Sequence, residues 1–287
     1  MRQLLLALLT LTFIACGGKS GNGSDAGNTG GDDGGGDGNN GNVDAPALVP
    51  PGCTAPDLTK PQCSNCIDDD GDGFADSFDI ECTGPTDNDE SSFSTGIPGD
   101  NIDAVKQDCF FDGNSGGGDD GCDIHVCCLL GAATVADCPI GQNQYDPANC
   151  PPPIGTTPLS QLCIDTCGAL TPPGCDCFGC CTLCDPNNPS MCYDVITNPA
   201  TSPDCTADVL ADPTKCHTCT QVPSCGNPEC GGTTCILCPG QTQTDLPAEC
   251  NGTTTCPSGV TSCAGGAACP ANTACDAGSQ CCVGIIL

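Results

Sequence analysis

Asp68, Asp70, Asp72, Asp76 and Asp79 stand at the first, third, fifth, ninth and twelfth places of one twelve-residue stretch, with Gly73 at the sixth. Alternate carboxylates spaced in this way can converge on one centre, and hard oxygen donors suit a hard cation such as Ca2+. Gly73 permits the sharp turn such a loop needs, and the Phe74 carbonyl can add a backbone ligand. The candidate metal set is therefore Asp68, Asp70, Asp72, Phe74, Asp76 and Asp79. Residues 68–90 hold ten acids and no basic residue. Carboxylates so crowded repel one another, and bound divalent cations are the simplest compensation. A solvated acidic surface would account for the charge but not for glycine at the sixth place. Asp87, Asp89 and Glu90 form a possible second metal set. A further acidic turn at 112–123 lacks the spacing.

The segments around the loop must brace it without helices. An EF-hand would carry Glu at the twelfth place, where Asp79 stands, and helical flanks, where Cys63, Cys66, Cys82 and Gly84-Pro85 stand. The pattern instead resembles the thrombospondin type 3 calcium repeat, whose DxDxDGxxDxxD spacing is met at Asp68, Asp70, Asp72, Gly73, Asp76 and Asp79. The resemblance implies a calcium loop braced by disulfides, a task open here to Cys63, Cys66 and Cys82. It covers about fifteen residues, so it implies a site and no whole fold.

Thirty-three cysteines in 287 residues, against 36 acids, five Lys and Arg and no Trp, set the fold class. Leu, Ile, Val and Phe number forty over residues 16–287, about 15%, below the ~20% expected of a self-sufficient core. With a net charge of −31 the uncross-linked chain would be disordered. Disulfides restrain the unfolded state by about 2–4 kcal/mol each, and export makes them available. The expectation is a small disulfide-rich fold, mostly irregular loop with short strands and little helix, behind a disordered Gly/Asp-rich N-terminal tether. The vicinal pairs Cys127-Cys128, Cys180-Cys181 and Cys281-Cys282 should each bond in two directions, since adjacent Cα atoms sit too close for a disulfide. Cys263, Cys269, Cys275 and Cys281 recur every six residues and read as stapled turns. The best chance of a short helix is at 122–135, and extended pieces are expected at 191–196 and 283–287. Compositional joints at 91–99, 147–157 and 197–203 divide the chain. The expected units are 1–15, a signal peptide; 16–52, lipidated Cys and tether; 53–95, the acidic calcium-binding unit; and the Cys-rich units 96–200 and 201–287.

The N-terminus reads as an address. An uncharged run over residues 4–14 is long enough for a signal-peptide core and too short for a membrane span, and it ends in Phe13-Ile14-Ala15-Cys16-Gly17. This resembles the lipobox of bacterial lipoproteins, with Phe13 where that family prefers Leu. The resemblance implies diacylglyceryl attachment and palmitate-type acylation at Cys16, and Gly17 in place of Asp points to the outer membrane. Residues 17–43, as in GNTGGDDGGGDGNNGN, would hold a domain clear of the lipid surface as a flexible coil. Lipobox, tether, acidic loop, QDCFFDGNSGGGDDGC at 107–122 and GCDCFGCC at 174–181 together resemble the cysteine-rich predicted lipoproteins of myxobacteria. No activity comes with that resemblance.

Other chemistries fit less well. Cys216, Cys219, Cys235 and Cys238 have zinc-ribbon spacing and define a zinc or redox alternative, with Zn2+ as the metal. Export favours disulfides instead. No βαβ setting accompanies any of the five CxxC units, and His125 and His217 lie near no hydrolase motif. No catalytic residue is assigned, which leaves an inhibitor or hydrolase built of small modules as the weakest alternative. The negative charge excludes nucleic acid. The expected function is a non-enzymatic, membrane-anchored, calcium-binding surface protein with a structural, adhesive or binding role toward a protein or polysaccharide partner.

Overall fold

Sulfur replaces most of the apolar side chains that this chain lacks. The computed structural model describes residues 47, 49–50, 53, 55–84, 87–96, 103–112, 120–250, 255–256, 259–264, 267–270, 273–275 and 280–284. Residues 1–46, with Cys16 and the Gly-rich part of the expected tether, and residues 285–287 lie outside the described residues. Sixteen disulfides join every cysteine except Cys16. In the larger buried cluster, eleven of nineteen residues are cysteines. Each vicinal pair bonds two ways, as adjacency requires: Cys127 to Cys138 and Cys128 to Cys150, Cys180 to Cys219 and Cys181 to Cys175, Cys281 to Cys256 and Cys282 to Cys269.

Regular structure is sparse, as the composition demands. Among the described residues, β1 (Lys106–Gln107) pairs antiparallel with β2 (Ile124–His125). Helix α1 (Val126–Leu129) follows directly, capped by His125, whose Nδ1 accepts the Cys127 N–H at 3.1 Å. That one turn is all the helix within 122–135, and Gly131 leaves it at φ +70°. Helix α2 (Gln161–Cys167) was not expected among so many prolines. Ser160 caps it by accepting the Cys163 N–H at 3.0 Å, a good N-cap residue directly before the first turn. Cys163 and Cys167, four residues apart, share one face of α2 and bond to Cys122 and Cys109.

β3 (Cys180–Asp185) and β4 (Asn188–Ile196) form a hairpin, crossed by Cys184–Cys192 at directly opposed positions. The expected extended piece at 191–196 is the inner part of β4. Alternation along the strands lets the hairpin serve two cores. Cys180 and Ile196 enter the larger cluster, while Cys181, Leu183 and Val195 enter a second. That second cluster also contains Ile80 and Phe93 from the acidic region, beside Phe110 and Phe111. Near the C-terminus β5 (Thr273–Cys275) pairs antiparallel with β6 (Cys282–Gly284), so the six-residue repeat is a stapled hairpin region.

At the centre lies Asp176, fully buried between Cys175 and Cys177. Its Oδ1 accepts the N–H groups of Phe178 (2.9 Å) and Cys180 (3.0 Å), and its Oδ2 accepts that of Val222 (2.9 Å). One carboxyl thus fixes the turn into β3 and the strand-like segment that Cys177–Cys225 brings alongside. Burial pushes this carboxyl up to about 7, although the three donors pull the other way.

The disulfides fall into five groups that never interlock along the sequence. They span residues 53–82, 109–167, 175–225, 230–250 and 256–282. The compositional joint at 197–203 is crossed by Cys177–Cys225 and Cys180–Cys219, and that at 147–157 by Cys109–Cys167 and Cys122–Cys163. No bond crosses 83–108.

Two outcomes follow. A lysine-specific protease followed by denaturant without reductant should release residues 20–106 as two peptides, cut after Lys60 and joined by Cys53–Cys66, while a cut after Lys215 separates nothing; mass spectrometry under non-reducing conditions reads both. Asp176→Ala should lower unfolding free energy by about 3 kcal/mol by stranding three N–H groups. Because the folded carboxyl binds its proton more tightly than the unfolded one, its contribution is complete below about pH 4 and lost as pH rises through about 7. Asp176→Asn should flatten stability across that window in denaturant titrations; an unchanged slope would contradict the assignment.

Candidate metal centre

The acidic loop is shaped by its own carboxylates. Asp68 accepts the N–H of Gly71 on Oδ1 (2.7 Å) and of Gly73 on Oδ2 (3.0 Å). Asp70 accepts the Asp72 N–H at 3.1 Å, and Asp72 accepts the Phe74 N–H at 2.8 Å. Gly73 sits at φ +103°, a region that side-chain-bearing residues rarely adopt, so glycine at the sixth place is required by the backbone. Cys53–Cys66 and Cys63–Cys82 brace the stretch from outside.

Part of the expected set is linked through its charges, together with one acid outside it. Asp68, Asp70, Asp72 and Asp79 act on one another's charge, and Glu81 joins them. Asp79 and Glu81 are only 4% and 3% exposed. Asp79 Oδ1 accepts the Glu81 N–H at 2.8 Å, and Glu81 Oε1 accepts the Ala207 N–H at 2.5 Å. Their other oxygens, Asp79 Oδ2 and Glu81 Oε2, are buried with no N–H or O–H donor among the described residues. Burial raises both groups well above the ordinary carboxylate range; the Glu81 carboxyl pushes Asp79 further up, whereas the Ala207 N–H and Asp79 pull Glu81 back down. Two such carboxyls side by side need a proton or a cation between them. Burial, and next the negative charges around them, also raise Asp70 and Asp72. Glu81 extends the alternation as Asp79-Ile80-Glu81, a signal visible in the sequence once the pattern is followed past its twelfth place.

Asp76 is turned elsewhere. It adopts a left-handed backbone, φ +52°, and both its oxygens accept the Cys66 N–H, at 3.1 and 3.0 Å. Its own N–H goes to Glu90 Oε1 at 2.6 Å, and Glu90 Oε2 takes the Asp69 N–H at 2.7 Å. Asp69, Asp76 and Glu90 therefore form a separate bracket behind the loop. Phe74 lines an apolar cavity of about 330 Å³ with Phe78, Ile80, Phe93, Phe111 and Leu183.

The second expected set is not gathered. Asp87 accepts from Thr83 N–H (3.0 Å), Thr83 Oγ1 (2.9 Å) and Asp89 N–H (3.0 Å), while Asp89 accepts from Ser91 and Ser92. Glu90 faces Asp69 and Asp76 instead. Burial pushes Asp87 and Glu90 up to about 7, yet all their described carboxyl oxygens have backbone or hydroxyl partners. In the turn at 112–123, Asp120 accepts from Cys109 and Cys122, and Asp123 pairs with Lys106 at 2.7 Å. Residues 113–119 lie outside the described residues.

The rival centres are occupied by bonds of their own. Cys216, Cys219, Cys235 and Cys238 pair with Cys205, Cys180, Cys250 and Cys230, so no thiolate of that set is left for zinc. His125 is a helix cap. His217 Nδ1 meets the Thr201 carbonyl at 2.9 Å and Ser202 Oγ at 3.2 Å. Both imidazoles are half-buried and serve the backbone.

No family model, curated protein or solved structure matches the chain. The chemistry of the acidic loop stands on its donors alone: oxygen atoms only, several carboxylates, no basic residue among 68–90, and two buried oxygens without a hydrogen to accept. Such a set fits a hard divalent cation, and Asp68, Asp70, Asp72, Asp79 and Glu81 would hold it.

The division of roles is testable in metal-free protein. Asp79→Asn should raise unfolding free energy by about 1–2 kcal/mol in chelator, because its amide can donate to Glu81 Oε2. Asp76→Asn should lower it by a similar amount, with or without cation. Equal effects of the two substitutions would contradict the separation of the bracket from the loop.

Proposed function

We propose that this protein is a calcium-binding, disulfide-stapled lipoprotein, anchored at Cys16 in the bacterial outer membrane and displayed with a structural, adhesive or ligand-binding role. One observation carries the calcium reading: Asp79 and Glu81, in an acidic stretch without a basic residue, each bury an oxygen that no donor among the described residues reaches. The anchor rests on the sequence Phe13-Ile14-Ala15-Cys16, and Cys16 is the one cysteine that the sixteen disulfides leave over. A surface role agrees with the charge of −31, which suits a soluble domain held by a lipid and suits no polyanion.

Calcium should raise the melting temperature of the mature protein by several degrees and increase its resistance to proteolysis. Asp70→Ala combined with Asp72→Ala should abolish both gains. Differential scanning calorimetry with calcium, magnesium and chelator decides this; no calcium response in the wild type would remove the calcium reading. Mass spectrometry of envelope-purified protein should find an acylated Cys16 and no thiol alkylated before reduction.

A further inference from the structure

Four of the seven phenylalanines in the chain, Phe74, Phe78, Phe93 and Phe111, line the 330 Å³ cavity beside the acidic loop, together with Ile80 and Leu183. A chain with so few large apolar side chains does not leave them around an unfilled space without cost, because empty volume forfeits packing in proportion to its size. The walls reach the surface. Ser77 is exposed and Phe74 and Phe78 are half-buried, so a small molecule can enter without unfolding the protein. The ~150 Å³ apolar cavity that takes up benzene is less than half this size, so two fused rings fit here.

The wall has little to offer a polar ligand. Pro50, Pro172, Pro173 and Pro239 contribute no N–H. The hydroxyl and amide side chains between them, Ser77 at the surface apart, are already engaged. Ser64 Oγ donates to the Pro61 carbonyl (3.3 Å), Thr83 Oγ1 to Asp87 (2.9 Å), Thr197 Oγ1 to the Gly179 carbonyl (3.0 Å) and Thr242 Oγ1 to Asp245 (2.7 Å). The Gln241 amide accepts the Cys238 N–H at 3.1 Å and donates to the Pro189 carbonyl at 2.8 Å. A sugar or an amino acid would leave several of its own groups unpaired in such a space, and each would weaken binding. No Lys, Arg or His stands among the described lining residues, and Asp76 and Asp79 in the wall repel an anion. A cation would exchange its water for a wall that is mostly hydrocarbon.

We propose that this cavity is a binding site for an uncharged aromatic molecule of about two fused rings, held against Phe74, Phe78, Phe93 and Phe111 by burial of apolar surface rather than by hydrogen bonds. The proposal rests on the ligand-binding part of the function proposed above and sharpens it; it does not depend on the calcium reading. Removing the apolar surface of both partners from water supplies the affinity, and the phenylalanine rings add edge-to-face or offset contacts with an aromatic guest. Binding should therefore survive the loss of polar substituents from the guest and fall when a charge is added to it.

Naphthalene is the probe, titrated into the mature protein and followed by its own fluorescence, in calcium and in chelator. It should bind saturably, and naphthalene-2-sulfonate should bind about tenfold more weakly or less. Leu183→Phe enlarges a wall residue on β3, away from the acidic loop. It should weaken naphthalene binding by about tenfold or more, while the melting temperature of the ligand-free protein holds or rises, because the added ring fills space that is already empty. Leu237→Phe, from another part of the wall, should act in the same direction, so the test does not depend on one variant folding. Leu58→Ala, which removes an exposed apolar side chain outside the cavity, should leave binding unchanged. No saturable binding by the wild type, undiminished binding in both filled variants, or equal binding of the sulfonate would overturn the proposal. If naphthalene fails to bind while calcium still stabilises the protein, only the cavity site falls; if naphthalene binds and calcium has no effect, only the calcium reading falls.

Discussion

The rest of the structure depends on covalent restraint of the unfolded chain, concentrated in the segment around Asp176. Within residues 174–181, Cys175 and Cys181 close a tight loop, while Cys177 and Cys180 reach out to Cys225 and Cys219. Forty large apolar side chains could not offset the conformational entropy of the 272 residues from Cys16 onward. Disulfides change the problem by shrinking the ensemble that folding must compete with. They also supply apolar volume, since buried cystine packs where Leu or Val would otherwise be needed. What remains for non-covalent chemistry is orientation. Asp176 provides it by collecting three N–H groups that loops this short leave without sheet or helix partners.

The fold class was legible because it follows from composition: too little aliphatic surface, too much charge and too many cysteines leave one physical solution. The two-way bonding of the vicinal pairs followed from the Cα spacing alone. Individual elements were harder to see. β4 could be anticipated from Met191 to Ile196, but its partner β3 reads CCTLCD, and cysteines hide the alternation that marks a strand. Helix α2 was hidden by the prolines before it, although Ser160 stood in the sequence as a good cap. Connectivity could not be read at all, because spacing does not select among pairings when so many cysteines are present.

The acidic loop divides in the same way. The spacing identified the places where Asp68, Asp70, Asp72 and Asp79 stand, and the glycine requirement at Gly73 agrees with its backbone. Asp76 departs because a periodic pattern assumes a regular backbone, whereas its left-handed conformation points the carboxylate at Cys66. Glu81 lay two residues past the pattern and was passed over for that reason. The contact of Ala207 with Glu81 has no local signal, since it is a product of the fold. Long-range contributions of this kind are invisible to any motif.

The five disulfide groups have a consequence for how the chain comes to be made. Because they follow one another without interlocking, each can be completed as soon as its own last cysteine has reached an oxidising environment. The number of wrong pairings open to thirty-two cysteines released together is enormous; groups of four, eight, ten, four and six have far fewer. The order of emergence therefore acts as an editor. The acidic group comes first, and its four cysteines can be joined before any later sulfur is present to compete.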